Sequence, residues 1–196
     1  MTGKYGGYTA FKNIIDIIKK DKKVDFKLLV TDQHMNSQFG QTANIIKNEI
    51  KKKNLIFLKT LKQKDTTISK LNSFANLCKK AALEIKKYNP QIILIYGDRG
   101  ETLITSFVAV NFNIPIAHFQ GGDLSGNIDD IFRHSISKMS NYHFVSNQES
   151  KKNLIKLGEQ KQNIFNVGEL HIDTIKKIKF ISWNNIKKNL NIKFNK

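Results

Sequence analysis

Asp98 closes an apolar run, Gln91-Ile-Ile-Leu-Ile-Tyr96-Gly97, and is followed by Arg99 and by Glu101 in a helical pattern. A carboxylate placed there can act as a general base or hold a sugar hydroxyl. It stands at the carboxyl end of a buried strand, just outside which open α/β sheets bind their ligands. The plain alternative is a helix cap, with Glu101 favoured by the helix dipole. A second apolar run, Ile114-Pro-Ile-Ala-His-Phe119, ends in Gln120-Gly121-Gly122-Asp123. The glycine pair allows close backbone approach or a positive φ, and by itself it also fits an ordinary turn. Ile128-Asp129-Asp130 then opens another helix, where negative charge is stabilised in any case. Taken alone, Asp129 with Arg133 and Asp130 with His134 read as i,i+4 surface ion pairs. Two polar strand ends feeding two helix N-termini describe one side of a site for a phosphorylated ligand.

His34, in the loop after a strand ending at Thr31, is placed to touch that ligand. His118 ends a strand and is as readily structural as catalytic; His134 and His143 read as structural, and His171 as a cap. The five histidines show no metal-ligand spacing, so no metal is expected. Gly3-x-x-Gly6-Gly7 does not fit the dinucleotide pattern G-x-G-x-x-G, and no acidic strand end follows it at the required distance. No cofactor is expected.

The elements that must position these residues alternate. Helices are expected over about Tyr8 to Lys20, Thr42 to Lys52, Thr67 to Tyr88, Gln148 to Leu157, Leu170 to Lys179 and Trp183 to Leu190. Strands are expected at Asp25 to Thr31, Leu55 to Leu58, Gln91 to Tyr96, Ile114 to Phe119, Tyr142 to Val145 and Ile164 to Val167. Such alternation predicts an α/β fold, a Rossmann-like, doubly wound parallel sheet covered on both faces. Thr2 to Gly7 resembles the first glycine turn of that fold with no apolar strand before it, and Asn191 to Lys196 stops where another strand would begin. Both ends therefore read as cut, with a domain over 1–180 and the start of a crossing over 181–196.

The net charge is +17, from 33 Lys and Arg against 16 Asp and Glu. Only Arg99 and Arg133 are arginine, whereas nucleic-acid sites rely on arginine for bidentate contacts. The lysines are scattered through helices beside many Asn and Ile, a solvated surface, and no nucleic-acid function is expected. No run approaches the roughly 20 apolar residues of a membrane span, and the start lacks the apolar core of a signal peptide. The single Cys78 excludes an internal disulfide. The expected location is cytoplasmic.

Three stretches resemble the hydrolysing UDP-N-acetylglucosamine 2-epimerases of sialic and legionaminic acid biosynthesis. They are Gly97-Asp-Arg-Gly-Glu-Thr-Leu103 with Asn113 to His143, His34-Met-Asn-Ser-Gln-Phe-Gly-Gln-Thr42, and Phe165-Asn-Val-Gly-Glu-Leu-His-Ile-Asp173. The resemblance implies the N-terminal half of a two-domain GT-B architecture, in which the other domain supplies most of the nucleotide contacts. It implies removal of the sugar C2 proton with loss of UDP, then hydration of the resulting glycal to N-acetylmannosamine. Asp98 and Asp129 match two of the family's essential carboxylates. Gln120, Gly121, Gly122 and Asp123 would shape the sugar pocket, with Arg99, His34 and Lys4 as further binding residues. A third family carboxylate falls on Gln120, an amide that cannot act as a base. The family's Thr-Arg-Ala-Asp turn is here Lys4-Tyr-Gly-Gly7, which leaves Lys4 beside the expected phosphate. The implied partners are a UDP or GDP sugar, a possible separate C-terminal domain, and a second copy of the chain when full length. A glycosyltransferase half and an inactive sugar-nucleotide-binding remnant stay open as alternatives.

Overall fold

The computed structural model describes residues 1–60, 66–178 and 180–190. α1 (Tyr5–Ile18) precedes β1 (Leu28–Thr31), α2 (Ala43–Glu49) and β2 (Leu55–Leu58). The long α3 (Thr67–Tyr88) leads to β3 (Ile93–Tyr96), α4 (Gly100–Asn111), β4 (Ile116–Phe119) and α5 (Ile128–Lys138). β5 (Tyr142–Val145), α6 (Gln148–Lys156), β6 (Ile164–Asn166), α7 (Leu170–Ile175) and α8 (Trp183–Leu190) complete the order. β1, β3 and β4 begin two or three residues later than expected, because their first residues lie outside the ladder; β2 and β5 keep their expected bounds, and β6 ends at Asn166 rather than Val167. The expected segment Asn191 to Lys196 lies outside the described residues.

All ladders are parallel. β1 pairs with β2, and β3-β4-β5-β6 form a second set. Between the sets, Thr2 bridges Val30, donating its N–H to Leu29 O (2.9 Å), while the Met1 amino group donates to Leu94 O (3.2 Å). Met1 and Thr2 thus join the two sets, giving the spatial order 2-1-3-4-5-6 across this seam.

Alternation along the strands divides most of the interior between the two faces of the sheet, with a smaller cluster of Val145, Leu154 and Ile164 under α6. One face buries Ile95 and Ile116 under α3, α4 and α5, where Leu77, Ala81 and Ile85 recur every fourth residue of α3. The other buries Val30, Ala117 and Phe119 against Tyr8, Phe11 and Ile15 of α1, and against Ile46 of α2. Helices on both faces make the sheet doubly wound, as the alternation predicted. α3 starts where Thr66 Oγ1 accepts from the Ser69 N–H, and ends at Asn89 in a left-handed conformation before Pro90.

One register level carries a row of rings. Tyr96, Phe119, Phe144 and Phe165 are successive partners across β3 to β6. Phe119 stacks on Phe144 at 4.6 Å between centroids and Phe144 on Phe165 at 5.3 Å, while Phe11 of α1 meets Tyr96 and Phe119 edge-on. The chain leaves the sheet just above this row, into the loops that hold the polar residues.

Candidate active site at the carboxyl edge

Arg133 organises this edge. It projects from α5, is 8% exposed, and forms ion pairs with Asp98 after β3 and with Asp130 Oδ1 (2.6 Å). Its Nη1 also donates to the Asp123 carbonyl (2.8 Å). One guanidinium fork therefore ties the loops after β3 and β4 to the start of α5. The Ser125 hydroxyl, the N–H groups of Ser125 and Gly126, and Arg133 hold the Asp130 carboxyl well below the usual range. Sequence spacing pointed Arg133 at Asp129, but the geometry gives it to Asp130 and Asp98. Among the described residues Asp129 has no side-chain partner; its N–H donates to Asn127 Oδ1 (2.8 Å), which caps α5. Asp129 thus offers an unengaged carboxylate at a helix N-terminus, half-buried beside the Arg133 cluster.

The glycine pair follows from packing. A Cβ on Gly121 would meet Ser137 Oγ at 2.9 Å, and one on Gly122, whose φ is +81°, would meet the backbone carbonyl of Ser150 at 2.2 Å. These glycines let the loop after β4 lie against α5 and α6. Asp123 continues the contact: its Oδ1 accepts from Ser146 Oγ (3.0 Å) and from Ser150 Oγ. Gln120 stands above the ring row with φ +62°, a left-handed conformation that a residue with a Cβ adopts at a cost.

A group not singled out in sequence closes the edge. Glu169, after β6, accepts from Gln120 Nε2, and its Oε1 accepts from the His171 N–H (3.2 Å) and faces His171 Nδ1 (2.8 Å). His171 Nε2 lies 3.1 Å from the Gly6 carbonyl of α1. Burial opposes charge on Glu169, but the bonds from His171 and Gln120 outweigh it and hold the carboxyl below its ordinary range. Burial, and then the charges of Glu169, Asp98 and Asp123, raise the Tyr96 hydroxyl well above the usual tyrosine range. These three carboxylates therefore share one neighbourhood. The signal for Glu169 lay in Gly168-Glu169 after a strand, the same strand-end pattern as Gly97-Asp98.

The remaining expected binding residues are placed as follows. His34 is fully buried, with Nε2 on Thr2 Oγ1 (2.9 Å) and Nδ1 on Thr42 Oγ1 (2.8 Å), and burial pushes its ring down to about 4. It pins the N-terminal turn, with both ring nitrogens occupied within the fold. Arg99 lies in a bidentate pair with the buried Glu101 (2.8 and 3.0 Å), beneath Gly3. Lys4 is exposed at the N-cap of α1, whose first turn holds no acidic residue. His118 bridges Gly97 O (2.9 Å) and Ser137 Oγ (3.1 Å), and burial lowers it to about 3. His171 does not cap α7; Glu169 does. Among the described residues no cluster of His, Cys, Asp or Glu is arranged to hold a metal ion, and no helix is long and apolar enough to cross a membrane. Two open depressions, lined by Lys27, Phe57 and Tyr88 and by Val110, Pro115 and Met139, lie at the amino ends of the strands, away from this edge.

Residues 16–196 match the family model described as UDP-N-acetylglucosamine 2-epimerase. A GDP/UDP-N,N'-diacetylbacillosamine 2-epimerase (hydrolyzing) of Campylobacter jejuni is 36% identical over 186 residues, 94% of this chain and 48% of that protein. A UDP-N,N'-diacetylbacillosamine 2-epimerase (hydrolyzing) of Legionella pneumophila is 32% identical over 180 residues, 91% of this chain and 47% of that protein. The solved UDP-GlcNAc 2-epimerase of Neisseria meningitidis bound to UDP-GlcNAc superposes with a TM-score of 0.74 at 20% identity, covering 96% of this chain and 51% of that one. The chain thus spans about half the length of these relatives, and its fold is one half of their GT-B-type architecture.

Proposed function

Because the chain belongs to the UDP-N-acetylglucosamine 2-epimerase family, we propose that it forms one wall of a nucleotide-sugar site and contributes acid–base groups to hydrolysing 2-epimerisation. The observation that carries this reading is the Arg133 cluster. It gathers the loops after β3 and β4 and the N-terminus of α5, and so the motif residues Asp98, Asp123 and Asp129, at one edge of the sheet.

In this reading Asp98 takes the C2 proton of the sugar. The electrons of that C–H bond form a C1=C2 double bond as the C1–O bond to UDP breaks, and UDP leaves as an anion. Water then adds its oxygen to C1, and a proton returns to C2 on the opposite face, giving the free 2-epimer. Two carboxyl groups are needed because the proton leaves one face and returns to the other. Asp129, with no side-chain partner among the described residues, serves the hydration half-reaction. Arg133 keeps Asp98 oriented. The exposed Lys4 and the N-terminal N–H groups of α1 offer the departing diphosphate positive potential.

The substrate is a UDP sugar with an acetamido group at C2. The relative at 32% identity is named for UDP-N,N'-diacetylbacillosamine and the one at 36% for GDP/UDP-N,N'-diacetylbacillosamine, whereas a UDP-N-acetylglucosamine 2-epimerase of N. meningitidis is 28% identical. Both sugars belong in the test. The longest reading frame containing this chain is incubated with each sugar, while UDP and the 2-epimer are followed by NMR. Release of both products with one sugar, abolished by Asp98→Asn, supports the reading. A folded product that binds neither sugar refutes it, and one that binds a sugar without turnover leaves the inactive remnant.

A further inference from the structure

Gln120 stands where the family resemblance asks for a carboxylate, yet this corner of the site does not lack one. Glu169, delivered by the loop after β6, accepts a hydrogen bond from Gln120 Nε2. With its nitrogen directed to Glu169, the Gln120 amide has Oε1 left over, and this atom accepts from no described residue. Two further observations mark the pair as more than a cap on α7. Gln120 keeps a left-handed backbone, which a residue with a Cβ adopts at a cost and which persists only where surrounding structure enforces it. Glu169 is also held from a second side by His171, which is anchored to the Gly6 carbonyl of α1.

We infer that Glu169 is a positioning residue that supplies the negative charge absent from position 120 and fixes the Gln120 amide with its oxygen toward the sugar. Position 120 then presents a hydrogen-bond acceptor to a hydroxyl or acetamido N–H of the ligand. This inference rests on the nucleotide-sugar reading for the identity of the ligand, but not for the coupling between the two residues. Gln120→Glu in the native background would set two carboxylates in contact, where like charges oppose each other. The same change made together with Glu169→Gln restores one charge and one amide with their places exchanged.

The test is a double-mutant cycle on the 196-residue chain, read by thermal melting at pH 8 and pH 5 and by saturation-transfer NMR with UDP-N-acetylglucosamine as the probe. Gln120→Glu is expected to lower the melting temperature by about 5 °C at pH 8 when Glu169 is present and by under about 2 °C when residue 169 is Gln. The first loss shrinks at pH 5, where one of the two carboxyls takes a proton. If Gln120→Glu does not fold at pH 8, its recovery at pH 5 reads the same coupling. Glu169→Gln is expected to weaken binding of the probe about fivefold, the worth of one hydrogen bond, and the exchanged pair to recover it within about twofold. Equal losses in both backgrounds overturn the inference, as does an exchanged pair that binds no better than Glu169→Gln. A native chain that does not bind the probe counts against the proposed function, while the melting cycle still decides the coupling.

Discussion

Replacing Gly122 by alanine tests how tightly the loop after β4 is set against α6. The new Cβ would stand 2.2 Å from the Ser150 carbonyl and 2.9 Å from Leu154 Cγ, against an ordinary contact of 3.4 Å or more. Neither neighbour can rotate away, since one is helix backbone and the other lies in a buried cluster. Relief needs α6 to retreat by about 1 Å. That would loosen the bond from Asn153 Nδ2 to Gly122 O (2.9 Å) and the bond from Ser150 to Asp123, each worth about 1 kcal/mol net. The φ of +81° adds about 1–2 kcal/mol for any residue with a Cβ. Together these give about 3–4 kcal/mol, or a melting temperature roughly 10 °C lower for a chain of this size. Gly126 is the control: its φ is +76°, but a Cβ there meets nothing within 4 Å. Gly126→Ala keeps only the backbone cost, about 1–2 kcal/mol, and a loss near 4 °C. Both are read by calorimetry under identical conditions. Equal losses, or a smaller loss at Gly122, would refute the packing account of the glycine pair.

Arg133→Met leaves Asp98 and Asp130 facing each other without their shared cation, and is expected to lower the urea midpoint. Adding Asp130→Asn should recover part of that loss, and an additive loss would show that the two carboxylates do not share Arg133. His34 and His118 are held neutral by burial down to about 4 and 3, while an unfolded chain protonates them near 6.5. Their contribution is therefore complete above about pH 7 and is lost as pH falls from 6.5. Each ring adds a slope of up to about 1.4 kcal/mol per pH unit, which a urea series from pH 7.5 to 4.5 will read and His34→Gln should flatten; a midpoint that rises with acid contradicts the assignment. Asp129→Asn, at a carboxylate without a described side-chain partner, should change stability by less than about 0.5 kcal/mol. It should nonetheless abolish turnover by the longest reading frame, and retained turnover would remove Asp129 from the chemistry.

The segments that periodicity located to the residue are those with strong local signals: Leu55–Leu58, Tyr142–Val145, Thr67–Tyr88 and Trp183–Leu190. Asp98 was legible as a candidate because it follows an apolar run at a strand end, a property of a few neighbouring positions, while Gln120 entered only through the family resemblance. The partners of those residues were not legible. Arg133 meets Asp98 only because β3 and β4 are adjacent and α5 packs over them, and that long-range pairing displaced the i,i+4 pair with Asp129 that helix spacing suggests. Glu169 reaches Gln120 only once β6 is known to lie beside β5. His34 looked available because its loop is polar, whereas burial and two threonine hydroxyls fix its place. Spacing rules describe one element at a time, and this site is assembled from four.

The row of rings from Tyr96 to Phe165 works as a ruler. Neighbouring strands stand about 4.8 Å apart, and the matched register of Tyr96, Phe119, Phe144 and Phe165 keeps the marks level. The loops that carry Asp98 and Gln120 rise one division apart, and Glu169, carried by the loop after β6, reaches back two divisions to meet Gln120. Substitutions above the rings change which group stands at a mark, while the intervals stay as the sheet sets them. A ligand read along this edge is measured in units of one strand.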